Sequence, residues 1–181
     1  MKSYDYTHRS GVRHLTWDDF AFLSSRLAEL LEPYNPQLIL GIARAGLFPA
    51  TAVACCLRRE LFPIRLTRRV DDNVIHEQPV WKTPVPLDVA GKTVAVVDEI
   101  ADTGRTLAMA SGSTMALGAV RVVTACLVSH TWAQPAPQVS ALTSDEFIIF
   151  PWDELILVDG KWVPHPEIQA GLKAQGFGSG E

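Results

Sequence analysis

The 181-residue sequence has few cysteines and no long uninterrupted apolar run. Its three cysteines, Cys55, Cys56 and Cys126, are odd in number and have apolar neighbours, so we expect buried thiols in a reducing cytoplasm and no disulfide framework. No apolar stretch is long enough to span a membrane, and the polar start lacks the apolar run of a secretory signal.

The sequence also lacks a strong excess of positive charge. A net charge of -4 argues against a protein that binds nucleic acid through bulk electrostatics. The five histidines show no metal-ligand spacing, and no GxxxxGK[ST] string indicates a P-loop nucleotide site. What remains is a chain that is 48% hydrophobic, enough for the core of a single domain over residues 1–181.

Helical and strand-like periods alternate along this chain. Thr16 and Asp19 resemble a helix N-cap, and leucines at helical spacing follow them as far as Pro33. Later segments read in order as strand 37–43, helix 47–59, strand 61–67, strand 93–98, helix 106–119, strand 120–129 and extended segment 147–150. The alternation predicts an α/β fold with a central, mostly parallel sheet flanked by helices, and with ligands at the carboxyl ends of the strands.

Two segments fall outside the alternation. Residues 68–92 are polar and interrupted by prolines, and a loop of that length predicts a flexible lid. The tail, residues 176–181, is expected to be disordered.

The strongest chemical signal is VAVVDEIADTGRT, residues 94–106. Asp98 and Glu99 close an apolar strand, where carboxylates are costly unless they accept hydrogen bonds, for example from a ribose diol, or help to hold Mg²⁺. The residues after them lead into a helix, whose free N–H groups suit a phosphate. A sugar phosphate is one ligand that explains both halves of the stretch.

This stretch resembles the phosphoribosyl-diphosphate (PRPP) motif of the type I phosphoribosyltransferases, and the resemblance spans residues 17–153. LGIARAGLFPA (40–50) is similar to the pyrophosphate loop of that family, with Arg44-Ala45-Gly46 where the family usually has Arg-Gly-Gly. Ala45 is a departure, because the loop is thought to use an unusual peptide geometry that a Cβ could hinder.

The resemblance implies a cytoplasmic, Mg²⁺-dependent enzyme in which a nucleobase attacks ribose C1 of PRPP and pyrophosphate leaves. It also implies a homodimer or a larger homo-oligomer. Asp98 and Glu99 would hold the ribose hydroxyls and the metal, and Arg68 and Arg69 of the lid would neutralise the leaving group. The pyrophosphate would bind Arg44, Ala45 and Gly46, and the 5'-phosphate would bind Ala101, Asp102, Thr103, Gly104, Arg105 and Thr106.

Asp102 resembles the residue that contacts purine N7 in the 6-oxopurine enzymes of this family, which implies a 6-oxopurine acceptor. Residues 130–165 resemble the small base-binding hood of the bacterial xanthine-guanine enzymes. There an aromatic ring stacks on the purine. Phe147 is nearest to that position, Trp132 and Trp152 are alternatives, and Ile148 would offer backbone groups. Gln134 stands where those enzymes usually have a lysine that meets the 6-oxygen, so an amino-bearing base stays open.

An alternative function of the same fold is a regulatory protein that senses PRPP and binds nucleic acid or a protein partner without turnover. The net charge and the lack of an added DNA-binding segment weigh against it.

Overall fold

The computed structural model describes residues 9–70 and 73–176, and for residues 69–70 and 73–74 it describes the backbone alone. The predicted tail, apart from Gly176, lies outside the described residues. Contacts divide the described residues into two compact units: the first lies within residues 22–144, and the second comprises residues 9–21 and 145–176. Residues 130–144 of the predicted hood belong to the first unit, and residues 145–165 belong to the second.

The described residues form twelve strands, four α-helices and two short 3-10 helices. In chain order the strands are β1 Val12–His14, β2 Leu38–Ile42, β3 Glu60–Thr67, β4 Arg69–Val70, β5 Asn73–Val74, β6 Val80–Thr83, β7 Thr93–Ala101, β8 Arg121–Ser129, β9 Val139–Thr143, β10 Phe147–Ile149, β11 Leu155–Val158 and β12 Lys161–Pro164. The α-helices are α1 Trp17–Leu31, α2 Leu47–Leu57, α3 Arg105–Ala116 and α4 Pro166–Ala174. The 3-10 helices are Glu32–Tyr34 and Leu87–Val89.

The first unit contains a six-stranded sheet in the order β6-β3-β2-β7-β8-β9. Neighbouring strands from β3 to β9 are parallel, and β6 adds one antiparallel edge strand beside β3. β2 is buried along its whole length, and β7 is buried from Val94 to Asp98, as expected for strands covered on both faces. The predicted α/β fold with a mostly parallel central sheet is confirmed.

Helix α2 packs closely on the sheet because β2 contains a glycine. A Cβ built on Gly41 would lie 2.8 Å from side-chain atoms of both Ala50 and Leu47. The helix therefore rests almost on the backbone of β2, and this brings its N-terminal end to the carboxyl ends of the strands. Helix α3 packs on β7 and β8.

Three sequence-based predictions need correction. Residues 68–92 are not a continuous loop: they contain β4, β5, β6 and the 3-10 helix Leu87–Val89. Strand β9 is absent from the predicted elements because the prolines Pro135 and Pro137 precede it. All three cysteines are free, but only Cys126 is buried, since α2 places Cys55 and Cys56 on its exposed face.

The second unit contains the parallel pair β1–β10, the antiparallel pair β11–β12, helix α4 and the first residues of α1. The predicted N-cap is present: the Asp19 N–H donates to Thr16 Oγ1 at 3.1 Å, and the Thr16 N–H donates to Asp19 Oδ2 at 2.9 Å. The reciprocal bonds are those of a capping box, with Asp in place of the usual Glu. No helix of the described residues is both long and apolar enough to cross a membrane.

Candidate functional site

Three loops of the first unit meet at the carboxyl ends of adjacent strands. Residues 43–46 follow β2, residues 102–104 follow β7, and residues 130–136 follow β8. Because β2, β7 and β8 are parallel neighbours, their carboxyl ends share one edge of the sheet, which is where open α/β sheets bind ligands.

The two predicted carboxylates lie within β7 and not after it: Asp98 is three residues before the end of the strand, and Glu99 is two. Asp98 is 7% exposed, and its Oδ1 accepts the backbone N–H of Glu99 at 3.0 Å. Burial, and secondly the negative charge of Glu99, raise the pKa of Asp98 well above its ordinary value. A buried acid of this kind is held by the fold at a site where its charge is disfavoured, and perturbed groups in clefts are candidates for function.

Replacing Asp98 with asparagine is expected to stabilise the protein at neutral pH. The raised pKa means that the folded state binds a proton more tightly than the unfolded chain, so wild-type stability falls as pH rises from about 4, the ordinary pKa of Asp. The amide of the variant does not titrate, so thermal unfolding should give a higher Tm for Asp98→Asn at pH 8 and a smaller difference at pH 4. Asp88→Asn, at an exposed position, is the control. A lower Tm of Asp98→Asn than of the wild type at pH 8 would contradict a raised pKa of Asp98 in the folded state.

The loop after β2 contacts Asp98 directly. A Cβ built on Gly46 would lie 2.6 Å from Asp98 Oδ1 and 2.5 Å from the carbonyl oxygen of Ile42. Gly46 therefore lets the loop approach the carboxylate, and it also precedes the first turn of α2 without a side-chain cap. Arg44 is exposed in the same turn, and the Ala43–Arg44 peptide is cis. Ala45 needs no left-handed backbone, since the positive φ angles of described non-glycine residues are at Asn35, Arg58 and Asp159.

The loop after β7 turns at Gly104, whose φ of 76° is in the left-handed region. A Cβ there would collide with the carbonyl oxygen of Pro135 and lie 3.2 Å from the carbonyl carbon of Gln134. Helix α3 begins at the next residue with no side-chain hydrogen bond capping it. The first N–H groups of this 12-residue helix therefore have no side-chain acceptor at the cap, as in helix ends that bind anions. Thr103 and Arg105 are exposed, Thr106 is half-buried, and Ala101 is buried.

Backbone hydrogen bonds fasten the loop after β8 to the loop after β7. The His130 N–H donates to the Ala101 carbonyl at 3.2 Å, and the Gln134 N–H donates to the Thr103 carbonyl at 3.1 Å. The turn between them closes through an Ala133 N–H to His130 carbonyl bond of 3.1 Å. Two of the three loops thus form one structure around Asp102 and Gly104.

Asp102 is half-buried and bonded to a residue that sequence reasoning considered only as a stacking alternative. The Trp132 Nε1–H donates to Asp102 Oδ1 at 3.3 Å. The indole stacks on the His130 imidazole with ring centroids 4.5 Å apart and planes 17° apart. His130 is 4% exposed, and its Nδ1 lies 2.5 Å from the Ser144 carbonyl, so Nδ1 carries the proton. The sequence signal was the string HTWAQ directly after a buried strand.

The remaining candidates of the first unit lie in the 68–92 segment and in the loop after β8. The Arg68 Nε–H donates to the His76 carbonyl at 3.1 Å, and Arg69 begins β4 with its side chain outside the described part. Gln134 is exposed next to the cis Gln134–Pro135 peptide.

The base-binding candidates of the second unit take part in its own packing. Phe147 is 6% exposed, and a Cβ on Gly171 of α4 would lie 2.6 Å from its ring. Ile148 is buried in β10, opposite Arg13 of β1. Trp152 stacks on Phe150 at 4.8 Å between centroids and meets Trp17 and Phe20 at 6.0 and 5.5 Å.

A complete protein cage for a metal is not found among the described residues, since no group of three or more His, Cys, Asp or Glu side chains converges there. Mg²⁺, however, is often held by one or two carboxylates together with phosphate oxygens of a substrate. Asp98 and Glu99 fit that incomplete donor set.

Comparisons with known proteins agree with this geometry. A family model described as a phosphoribosyl transferase domain matches residues 15–157. A purine phosphoribosyltransferase from Pyrococcus horikoshii Ot3 is 31% identical, with a TM-score of 0.72, over 83% of this chain and 99% of that chain. A hypothetical protein from Neisseria gonorrhoeae with bound ppGpp is 25% identical, with a TM-score of 0.69, over 81% and 91%. The Helicobacter pylori xanthine-guanine-hypoxanthine phosphoribosyltransferase shares the fold, at 19% identity and a TM-score of 0.66 over 80% and 93%.

Proposed function

Because this chain belongs to the phosphoribosyltransferase family, we propose that it transfers the 5-phosphoribosyl group of PRPP to a 6-oxopurine base and releases pyrophosphate. One observation carries the proposal. The buried Asp98, then Asp102, then the Gly104 turn follow one another along β7 and its loop, at the carboxyl edge of the sheet. In the reaction, a ring nitrogen of the base bonds to ribose C1, the bond from C1 to the pyrophosphate oxygen breaks, and the nitrogen loses its proton.

Each group at this edge has a role in that reaction. The N-terminal amides of α3 bind the 5'-phosphate, to which Gly104 allows close backbone approach. The carboxylates of Asp98 and Glu99 accept hydrogen bonds from the ribose hydroxyls. The turn of residues 44–46 binds the pyrophosphate, and its fixed contact with Asp98 sets the distance between sugar and leaving group. The strands of the 68–92 segment exclude water, which competes as a nucleophile.

Asp98 and Glu99 would hold Mg²⁺ together with oxygens of PRPP, and the bound ion would offset the negative charge of the pyrophosphate. Glu99 is half-exposed beside the buried Asp98, so the pair offers one carboxylate on the open side of the strand.

A purine is proposed as the acceptor because Asp102, directly after β7, offers a carboxylate that can accept a hydrogen bond from the imidazole-ring N–H of the base and take up or return its proton. The narrower choice of a 6-oxopurine rests on the resemblance of Asp102 to the residue that contacts purine N7 in the 6-oxopurine enzymes. The Pyrococcus horikoshii relative is a purine enzyme. The Neisseria gonorrhoeae protein binds ppGpp, a nucleotide of guanine, so guanine is the first base to test.

The proposal is tested by a screen of bases with PRPP and Mg²⁺, read by pyrophosphate release. Guanine, hypoxanthine and xanthine are expected to react at least about tenfold faster than adenine, orotate or uracil. A base whose donors and acceptors do not match the site leaves hydrogen-bonding groups of the protein unpaired when it binds. Fastest turnover with adenine would overturn the choice of base. PRPP binding without release of pyrophosphate with any base, together with RNA or DNA binding at moderate salt, would favour the regulatory alternative.

The Asp102→Asn variant distinguishes an effect on the reaction of the base from an effect on PRPP binding. If Asp102 acts as a general acid–base group for the ring nitrogen of the base, kcat/KM for the base should fall about 100-fold in this variant, as is typical when such a group is lost. The Kd for PRPP, measured by calorimetry, should change less than about threefold, because an amide keeps the size of the carboxylate and leaves the α3 amides in place. Asp88→Asn, on an exposed position, is the matched control. Equal losses for base and PRPP would remove this role from Asp102.

A further inference from the structure

We propose that Trp132 is a positioning residue for the acceptor base: its indole N–H holds the Asp102 carboxylate in the orientation that meets the base. The inference rests on the proposed function, since it deepens the role of Asp102 in that reaction. It concerns a residue that lies outside the PRPP motif, on the loop after the neighbouring strand, and contacts the motif across the sheet edge.

The geometry of the contact is set by the backbone. Asp102 follows the last residue of β7, and Trp132 sits in the turn after β8. The bonds from His130 to the Ala101 carbonyl and from Gln134 to the Thr103 carbonyl bracket both residues. The 3.3 Å bond from Trp132 Nε1 to Asp102 Oδ1 therefore joins two segments that are already fastened on each side. A bond in such a frame restricts the carboxylate more than a contact between two independent loops would.

The indole of Trp132 is itself oriented by the His130 ring on which it stacks. It is 39% exposed, so packing on all sides does not fix its ring plane. The stack on the buried His130 imidazole does so, and His130 is in turn held by its Nδ1–H bond to the Ser144 carbonyl. The chain Ser144, His130, Trp132, Asp102 thus leads from the end of β9 to the carboxylate, with each member fixed by the one before it.

The indole leaves Asp102 able to act. A carboxylate has about four lone-pair sites, so the bond from Trp132 does not by itself saturate it. The indole N–H is a donor only and cannot exchange roles, which makes it a fixed reference for the group. Without that bond the side chain would lose one of the contacts that fix its orientation, and we expect a larger part of its population to face away from the base.

The test is a double-mutant cycle of Trp132→Phe and Asp102→Ala, with kcat and KM measured for each substrate. Trp132→Phe keeps a ring for the stack on His130 and removes the N–H. Loss of a bond to a charged acceptor should lower kcat/KM for the base about tenfold and change KM for PRPP less than about twofold. In the Asp102→Ala background, the same substitution should lower kcat/KM for the base less than about twofold. Trp162→Phe, at a tryptophan that is 68% exposed, is the matched control.

Equal losses in both backgrounds would overturn the inference, because Trp132 would then act on the base without Asp102. Wild-type kinetics of Trp132→Phe in an active enzyme would overturn it as well. An inactive wild type would instead refute the proposed function and, with it, this inference. A second readout covers a variant that folds poorly: among the five indole N–H resonances of ¹⁵N-labelled protein, that of Trp132 should shift most in Asp102→Ala. A resonance that stays in place would also overturn the inference.

Discussion

Replacing Gly104 with alanine should lower kcat/KM for PRPP by about 100-fold, the loss that a displacement of about 1 Å causes in an aligned site. Two features of the turn make the residue irreplaceable. Its φ of 76° costs an alanine about 1–2 kcal/mol, and the new Cβ would collide with the Pro135 carbonyl oxygen. That oxygen belongs to backbone and cannot swing aside as a flexible side chain would. The start of α3 or the loop after β8 must therefore move.

Gly112 provides a matched control on the same helix. It lies inside α3, and a Cβ there meets nothing within 4 Å. Gly112→Ala should raise stability by up to about 1 kcal/mol, because alanine is the better helix former, and leave PRPP kinetics unchanged. Steady-state kinetics and thermal unfolding of both variants separate the two effects. Wild-type PRPP kinetics of Gly104→Ala would show that the turn does not hold the 5'-phosphate.

The order of β2, β3, β7 and β8 and of helices α1 to α3 was predictable because each of these elements carries its own apolar period. The stretches around β2, β7 and β8 are nearly continuous apolar runs, which predict buried strands. Pro33 and Gly118 mark the ends of the helices that precede β2 and β8. The 68–92 segment was misread for the opposite reason: β6 is an edge strand with exposed residues, so its alternation is weak. The end of β7 was placed too early because acidic residues ordinarily stop a strand, whereas here Asp98 is buried inside it.

The candidate site was predictable where it follows the chain and not where it is assembled across loops. Residues 98–106 are contiguous, so a motif reveals them together. The contact of Gly46 with Asp98 and the bond of Trp132 to Asp102 join segments far apart in sequence. Nothing in the string HTWAQ specifies that the indole N–H points at Asp102, because that direction depends on how the two loops are hydrogen-bonded.

The paired substitution Asp98→Asn and Glu99→Gln should raise the Kd for PRPP by about 100-fold. Hydrogen bonds to a charged acceptor contribute about 1.5–3 kcal/mol, and each tenfold change in Kd corresponds to about 1.4 kcal/mol. Amides of the same shape keep one acceptor oxygen, so the loss reports the charge and not a cavity. Calorimetric titration of PRPP with Mg²⁺ measures it, with Asp88→Asn as the control. An unchanged Kd would exclude the ribose-binding role of the pair.

The paired variant should also shift stability in the opposite direction to affinity. Burial and the neighbouring carboxylate keep the pKa of Asp98 raised, so the charged pair destabilises the fold at pH 8 and its neutral counterpart does not. A destabilising carboxylate pair of this kind is common where activity requires a destabilised arrangement, so it supports the proposed role of the pair in binding PRPP. Thermal unfolding at pH 8 should therefore show a higher Tm in the same variant that binds PRPP more weakly. Loss of both stability and affinity would mean that the carboxylates support the fold and that weaker PRPP binding is only its consequence.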